Sequence, residues 1–579
     1  MTAQDMAEVF NRIALLLELK GENPFKTRAY KTGAETVENF PGDIVALAKA
    51  NELAGIKGIG DALRDKLHEM ATTGRLEFYE KLKAEFPEDI FGLFGISGLG
   101  PKKIALLYKD LGVASVADLK RVCESGEAAK LSGFGEKTVV KLLESIAFHE
   151  QHASEFRLGD VAIIAERVLA DLRDHPKVGR VEICGSYRRG KEVVHDLDFL
   201  ATSRSPQEVI DAFAALPVFV HTIAKGPTKT SVRTKDGLQC DLRVVSNEEF
   251  PFALNYFTGS KEHNVAMRQR CIARGWSLNE YAITVTDGAE PPPPVHEERD
   301  IYRALGMEFI EPELRENGGE LDAARHNTLP RLVELTNLRG TFHNHTTASD
   351  GNATLAQMAE AAQELGLQYL GIADHSKSSF QANGLHPDRL RSQIAEIREM
   401  NETFDGFKLF AGSEVDILKD GSLDFDDELM AELDYVVASV HNVMNLPEAE
   451  MTKRIIRAIE NPYVTMLGHL TGRLLLQRPS YAVNVPAIID AAAATGTIIE
   501  LNASPWRLDM DWRWWKLAKE KGVRTSINPD AHSTQGLQDL YFGIRSARKG
   551  WLEKRDVVNT LPLGEIEAVL RAKRQRLLD

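Results

Sequence analysis

Two aspartates one position apart, Asp196 and Asp198 in HDLDFL, follow closely on the run Gly185-Ser186-Tyr187-Arg188-Arg189-Gly190. In a strand, residues i and i+2 project from one face, so both carboxylates reach the same pair of divalent ions. In the turn upstream, backbone amides, the Ser186 hydroxyl and the Arg189 fork face a triphosphate, which the ions bridge and neutralise. Asp241 lies in a second alternating apolar run, LQCDLRVV, and an adjacent strand aims it at the same metals. An isolated Asp-x-Asp is more often a solvated strand face; this one stands with a phosphate-binding run and a third acid.

A second series begins after residue 338: His343, His345, Asp350, His375, Glu414, His441, His469, Asp530 and His532. Nearly all follow or lie within strand-like apolar runs, LRGTFHNH, YLGIADH, LFAGSEVDI, YVVASVH, VTMLGH and VRTSINPDAH. Ligands at the C-terminal ends of successive parallel strands converge at one end of a barrel. The i, i+2 spacing predicts His343 with His345 on one strand face, and Asp530 with His532 on another. Imidazole and carboxylate without thiolate suit Mn, Zn or Fe, and ligand type alone does not choose among them.

The elements that must position these groups fall into distinct textures. The first 150 residues read as helical, with AEVFNRIALLLELKG apolar at helical spacing. Three glycine hairpins follow: GIKGIG (Gly55, Gly58, Gly60), GISGLG (Gly95, Gly98, Gly100) and SGFG from Ser132 to Gly135. Glycine allows the tight turn, and the amides of the next helix N-terminus face outward toward a phosphate. One such turn is an ordinary helix-helix corner; three in succession predict helix-hairpin-helix binding to a DNA backbone without sequence readout. From residue 151 helix and strand mix. The proline-rich DGAEPPPPVHEERD reads as a surface loop, and ELRENGGELDAARHNTLPRLVEL as a boundary before strand-helix alternation starts at Leu338.

At 579 residues the chain is too long for one core. No apolar stretch is long enough to span a membrane and the N-terminus lacks signal-peptide order, so a cytoplasmic protein with no membrane partner is expected. Cys123, Cys184, Cys240 and Cys271 are widely spaced and read as buried thiols. The net charge of −15 weighs weakly against nucleic acid, but basic residues bunch in KGENPFKTRAYK, YRRGKE and AKGPTKTSVRTK. No long heptad pattern is visible, so a monomer is expected.

Residues 1–320 resemble the family X DNA polymerases, the group of DNA polymerase beta, through GSYRRG, DLD, Asp241, YFTGS and NVAMR in that order. Residues 338–579 resemble the PHP metal-dependent phosphoesterases. The resemblances imply a multidomain α+β and α/β chain: a helical lyase-like domain (1–86), a helix-hairpin-helix subdomain (87–150), a nucleotidyltransferase palm (151–250), a small nucleotide-selecting subdomain (251–320), a linker (321–337) and a distorted (β/α) PHP barrel (338–579). They imply that Asp196 and Asp198 bind two Mg or Mn ions, that Asp241 binds the catalytic one and helps activate the primer 3′-hydroxyl, and that Gly185, Ser186 and Arg189 hold the triphosphate. Tyr256 and Phe257 would lie against the sugar, Gly259 in a tight turn, Asn264 at the base and Arg268 near the template. Core packing is the alternative for the aromatic pair, and a solvated helix face for Arg268.

Certain positions depart from these families. His195 stands in place of a glycine, Gln239 in place of an arginine, and Asn344 in a motif that usually begins Asp-Leu-His. Lys66 falls at a Schiff-base lysine but Ala62 replaces its phosphate-binding companion, which leaves lyase activity open. By resemblance Glu414 bridges metals in a cluster of up to three divalent ions, and a water activated there attacks phosphorus. Arg473 and Arg507 hold the substrate phosphate or form surface salt bridges; Trp506, Trp512, Trp514 and Trp515 pack beneath the barrel in preference to stacking on an unpaired base. The expected function is template-directed polymerisation on gapped or nicked DNA from deoxynucleoside triphosphates, with 3′-5′ exonuclease action in the PHP domain, as in base excision repair. The alternatives are a PHP phosphatase for small phosphates, or a DNA-binding scaffold with structural metals.

Overall fold

The computed structural model describes residues 1 and 3–578 except 39, 41, 42, 57, 97, 153 and 287. Lys57 and Ser97, inside the first two hairpins, therefore lie outside the described residues. The chain divides into two compact units, Met1–Ala153 with Leu476–Arg478, and Ser154–Leu475 with Pro479–Asp579.

The first unit is helical. Its opening helix, Ala3–Leu19, buries Met6, Phe10, Ile13 and Leu17 along one stripe. One apolar core runs from Met6 to Ile146. The stretches 1–86 and 87–150, expected as separate domains, thus share an interior. The reason is size: a helix such as Pro101–Leu111 buries only Ile104 and Leu107, too little to form a core among its nearest neighbours. The three hairpins close with one kind of bond, Ile59 N to Ile56 O (3.1 Å), Leu99 N to Ile96 O (3.2 Å) and Phe134 N to Leu131 O (3.1 Å). Gly58 has φ +90°, and a Cβ there would lie 2.3 Å from Thr36 Oγ1, so any other residue would be both strained and crowded. Gly60, Gly100 and Gly135 precede the next helices and bring no capping side chain, which leaves the first helical amides to an outside acceptor.

In the second unit the strands β1 (Phe156–Arg157), β2 (Val181–Ile183), β3 (Val193–Val194), β4 (Asp196–Thr202), β5 (Phe219–Lys225), β6 (Lys229–Thr234) and β7 (Gln239–Val245) come first. β1 pairs with β3, and the others form a sheet in the order β2-β4-β7-β6-β5. β4 and β7 run parallel with Asp198 opposite Asp241. On both strands the acids alternate with buried Leu197, Phe199, Cys240 and Leu242. Apolar neighbours therefore pin the register, because a one-residue slip would bury the carboxylates.

Next come the helices Phe250–Thr258 and Lys261–Ile272, the hairpin of β8 (Trp276–Leu278) and β9 (Ile283–Val285), and, beyond the proline-rich loop, the helix Glu298–Ala304. Residues 321–337, expected as a linker, are partly structural: Leu321 and Ala324 join the core of Met267, Ile301 and Tyr302, and Val333 joins the barrel core. A segment rich in Gly, Asn and Pro hides these few buried side chains.

The barrel strands β10 (Gly340–Thr341), β11 (Tyr369–Ile372), β12 (Lys408–Asp416), β13 (Tyr435–Ser439), β14 (Met466–Leu467), β15 (Ile498–Asn502) and β16 (Thr525–Asn528) lie in chain order, all parallel. A bridge between Asn344 and Ala531 joins the two ends, so seven strands curl nearly closed. Every position of β11 and β13 is buried, as expected where helices cover one face and a core fills the other. Among the described residues no helix is long and apolar enough to cross a membrane, and all four cysteines are buried.

Candidate metal centres

Asp196, Asp198 and Asp241 share one face of the first sheet. Burial pushes the Asp198 carboxyl up to about 7, with Asp196 and Asp241 adding to the rise. Asp196 is raised as well, by burial and then by Asp241, and His195 and Lys229 offset part of this. Such mutual repulsion is relieved by cations. Asp241 is already held: Gln239 Nε2 donates to Oδ1 at 3.0 Å and Lys229 Nζ lies 3.1 Å from Oδ2. Gln239 thus supplies a neutral amide grip where the resemblance leads one to expect an arginine.

The turn that carries the upstream glycines is a one-turn helix, Gly185–Arg188, opened by Gly185. Its φ is +63°, and a Cβ would stand 2.5 Å from Asp198 Oδ2, so glycine gives the carboxylate room. Ser186 lies in the same turn. Arg189 does not reach freely toward the acids: Nε donates to Glu316 Oε1 at 3.0 Å and Nη1 to the Thr258 carbonyl at 2.6 Å, beside Gly259. Tyr256 and Phe257 are half-buried and edge-to-face at 5.1 Å, with Arg268 over the first ring and Arg243 over the second. Phe257 also packs against the apolar cluster of Cys184, Phe250 and Leu254, so core packing accounts for part of the pair. Asn264 donates to the Tyr256 carbonyl at 2.7 Å while its own carbonyl oxygen is buried without a partner. Lys66 is half-buried, 5.1 Å from the centre of the Phe78 ring, and donates to the Ala62 carbonyl.

In the barrel all nine expected ligands come together. Four groups, each with ligand atoms within 4.8 Å of one another, are His345, Asp350, His375 and His532; His343, His469 and Asp530; His343, His345 and Glu414; and His375, Glu414 and His441. The acids of the first sheet form no group so tight among the described residues. Glu414 is the hub. Its Oε1 lies 2.9 Å from His469 Nε2, 3.1 Å from His441 Nε2 and 3.2 Å from His343 Nε2, and its Oε2 is 2.9 Å from His375 Nδ1. Asp530 Oδ1 is 3.2 Å from His345 Nε2, and Asp350 Oδ1 is 3.4 Å from His532 Nε2. His343 Nε2 and His345 Nε2 are buried with no hydrogen-bond partner although carboxylates stand close. Imidazole nitrogens and carboxylate oxygens converging this closely, several of them joined by no hydrogen bond, fit divalent cations. Burial opposes ionisation of Glu414, but His441, His343 and His375 outweigh it and hold the carboxyl well below its usual range. His345 is pulled down to about 4 by burial and by its neighbours His532 and His375, so its ring stays neutral with one nitrogen free to act as a ligand.

The i, i+2 strand-face expectation for the two pairs is corrected. β10 ends at Thr341 and β16 at Asn528, and both His343 (φ +53°) and Asp530 (φ +55°) sit in the left-handed region just beyond. The chain turns sharply there to aim the side chains inward, a strained geometry typical of built sites. Asn344 donates to the Phe342 and Gly371 carbonyls, closing the turn.

The two arginines part company. Arg507 lies 3.4 Å from Asp530 through Nε and keeps one buried nitrogen, Nη1, unpartnered. Arg473 is consumed elsewhere: it donates to the Arg507 and Leu508 carbonyls and pairs with Asp511 and with Glu192 of the first sheet domain. It is neither a phosphate grip nor a surface bridge but a buried tie between two domains. Trp515 is buried in the barrel core with Trp512 and Trp514 against it, whereas Trp506 is exposed and carries Arg157 over its ring.

Several working residues lay outside the sequence reading. Glu500 accepts from His343 Nδ1 at 2.6 Å, from the His469 amide and from Asn528, which leaves His343 Nε2 as the bare nitrogen. Asp416 does the same for His441 Nδ1 at 2.8 Å. Glu298 joins Arg188 to Arg315 in a buried clasp. Glu500 had a signal, an acid inside the apolar run TIIELN; the clasp had none, because its partners are far apart in sequence.

Comparison with known proteins agrees with this layout. A helix-hairpin-helix family model matches residues 1–76, a SAM-like helix-hairpin-helix tandem 92–147, the DNA polymerase beta thumb 253–316 and the PHP domain 341–504. Over 574 residues, 99% of this chain and 100% of the relative, the chain is 38% identical to the DNA polymerase/3′-5′ exonuclease PolX of Bacillus subtilis (strain 168). Over 247 residues, 41% of this chain, it is 29% identical to a probable phosphatase of Thermoanaerobacter sp. (strain X514), covering 95% of that protein. A probable phosphatase of Acetivibrio thermocellus is 29% identical over 200 residues, 33% of this chain and 78% of the relative.

Proposed function

The chain belongs to the bacterial family X DNA polymerases that carry a C-terminal PHP domain, and from that premise we propose two independent centres, one extending DNA 3′ ends on a template and one removing nucleotides from them. The observation that carries this reading is the pairing of a carboxylate triad beside the Gly185 turn with a nine-ligand cluster in the barrel.

In the palm, Asp196, Asp198 and Asp241 would hold two Mg or Mn ions, which when bound stabilise the attacking and leaving oxygens of in-line phosphoryl transfer. Asp241, steadied by Gln239 and Lys229, faces the primer end and accepts its hydroxyl proton. Gly185 and Ser186 offer the amides and hydroxyl of the turn to the triphosphate, and Arg189 reaches it on loosening from Glu316. Tyr256 and Phe257 cover the sugar, with Asn264 and Arg268 at base and template. The hairpin glycines Gly55, Gly58, Gly60, Gly95, Gly98 and Gly100 hold the DNA backbone on either side of a short gap, the substrate of repair synthesis.

In the barrel the nine ligands would hold up to three ions of Mn, Zn or Fe, which when bound make a water acidic enough to attack a phosphodiester near neutral pH. Glu414 keeps the ligand sets in register, Glu500 and Asp416 fix two imidazole tautomers, and Arg507 meets the scissile phosphate with its unpartnered nitrogen.

A gapped duplex with a 5′-labelled primer, given nucleotides and Mg or Mn, tests both centres. Asp196→Ala is expected to abolish extension and spare shortening, and His343→Ala to do the reverse. Loss of both activities in either folded variant defeats the two-centre reading. Wild-type protein that extends but never shortens the primer, while releasing phosphate from small esters, favours the phosphatase alternative.

A further inference from the structure

The barrel domain reaches into the phosphate-binding run of the palm. Its helix Leu540–Lys549 follows the ligand loop that carries Asp530 and His532. Arg545 lies over the Tyr187 ring, 4.7 Å from its centre, and donates to the Tyr187 carbonyl. One turn on, Lys549 is fully buried and donates to the Arg189 carbonyl at 3.0 Å and to Glu316 Oε1 at 2.6 Å. That same carboxylate oxygen accepts Arg189 Nε at 3.0 Å, and Lys191 stands 3.5 Å from the other. Trp512 closes the far side, its ring centre 4.7 Å from the ammonium.

Three cations thus compete for one carboxylate. Burial pulls the Lys549 ammonium down to about 8, while Glu316, despite its own burial, is held at about 2 by Lys549 and Arg189, so both are charged at neutral pH. Arg189 must loosen from Glu316 before its fork can meet a triphosphate. How readily it loosens depends on what else neutralises Glu316, because a carboxylate with fewer partners grips each remaining one harder, and without Lys549 only Arg189 and, at 3.5 Å, Lys191 remain.

We propose that Lys549, a residue of the barrel domain, is a positioning residue for nucleotide addition: it shares Glu316 Oε1 with Arg189 and anchors the Arg189 main chain, and so keeps the arginine fork available to the incoming triphosphate. The inference rests on the reading that Arg189 holds that triphosphate.

Single-nucleotide insertion on gapped DNA by the full chain tests it. Lys549→Met is expected to raise the nucleotide KM about tenfold, the loss of roughly one charge-assisted hydrogen bond's worth of binding, with kcat within about twofold. Adding Glu316→Gln to that variant removes the competing grip and should return KM toward the wild-type value. Primer shortening by the barrel should not change. Arg189→Ala is the control: if it leaves KM unaltered, the reading of Arg189 fails; if it raises KM while Lys549→Met does not, the inference fails. Equal loss of extension and shortening in Lys549→Met means a merely structural lysine and also overturns it. Should Lys549→Met not fold, Glu316→Gln alone decides, since freeing Arg189 should lower KM and an unchanged or higher value contradicts the proposal.

Discussion

On β4 and β7 three carboxylates stand on one half-exposed sheet face, where Gln239 and Lys229 grip Asp241. In the barrel Glu414, whose side chain is 1% exposed, gathers with eight other ligands, and further carboxylates brace the imidazoles from behind. The first arrangement is completed by what it binds; the second is built in advance. The difference suits the chemistry: a polymerase takes in a triphosphate with its metal at every turnover, whereas a phosphodiester-cleaving centre can keep its ions.

The contrast makes its largest claim about metal retention. After exhaustive dialysis against metal-free buffer, primer shortening should survive and metal analysis should still find ions, while extension should fall to background until Mg or Mn is returned. Parallel loss of both activities would erase the contrast. A sharper cut comes from Glu500→Gln, which disturbs the His343 tautomer without touching a ligand. It should lower shortening by roughly 10- to 100-fold, as expected for an outer partner of a metal-bound imidazole, and leave extension alone. The smallest effect on chemistry separates the two arginines. Arg507→Ala should slow shortening about tenfold, one charge-assisted contact to phosphate. Arg473→Ala should barely alter it but lower the melting temperature, because removing one partner of a buried ion pair costs about 3–5 kcal/mol.

What could be read in the chain follows the same divide. The barrel ligands were legible because strand, turn and ligand recur locally: YLGIADH and VTMLGH each carry the apolar run and the imidazole side by side. The alternation in DLDFLAT likewise placed Asp196 and Asp198 on one face. The left-handed turns at His343 and Asp530 were not legible, since nothing in a histidine or an aspartate announces a positive φ. Nor was the fate of Arg473, whose partner Glu192 lies 281 positions away, or of Arg189, whose partner Glu316 lies 127 away. Spacing reports what a short segment can do alone; it is silent on which distant group claims a side chain first.

The tie between Arg473 and Glu192 bears on any attempt to obtain either half as a free-standing fragment. Scission near residue 330 would strand a carboxylate on one piece and a guanidinium on the other, each shaped to be out of water, and would uncap the Tyr187 carbonyl as well. Fragments made this way should be poorly soluble or sluggish for reasons unrelated to their chemistry, and replacing Glu192 and Arg473 together with apolar residues would be the first repair to attempt.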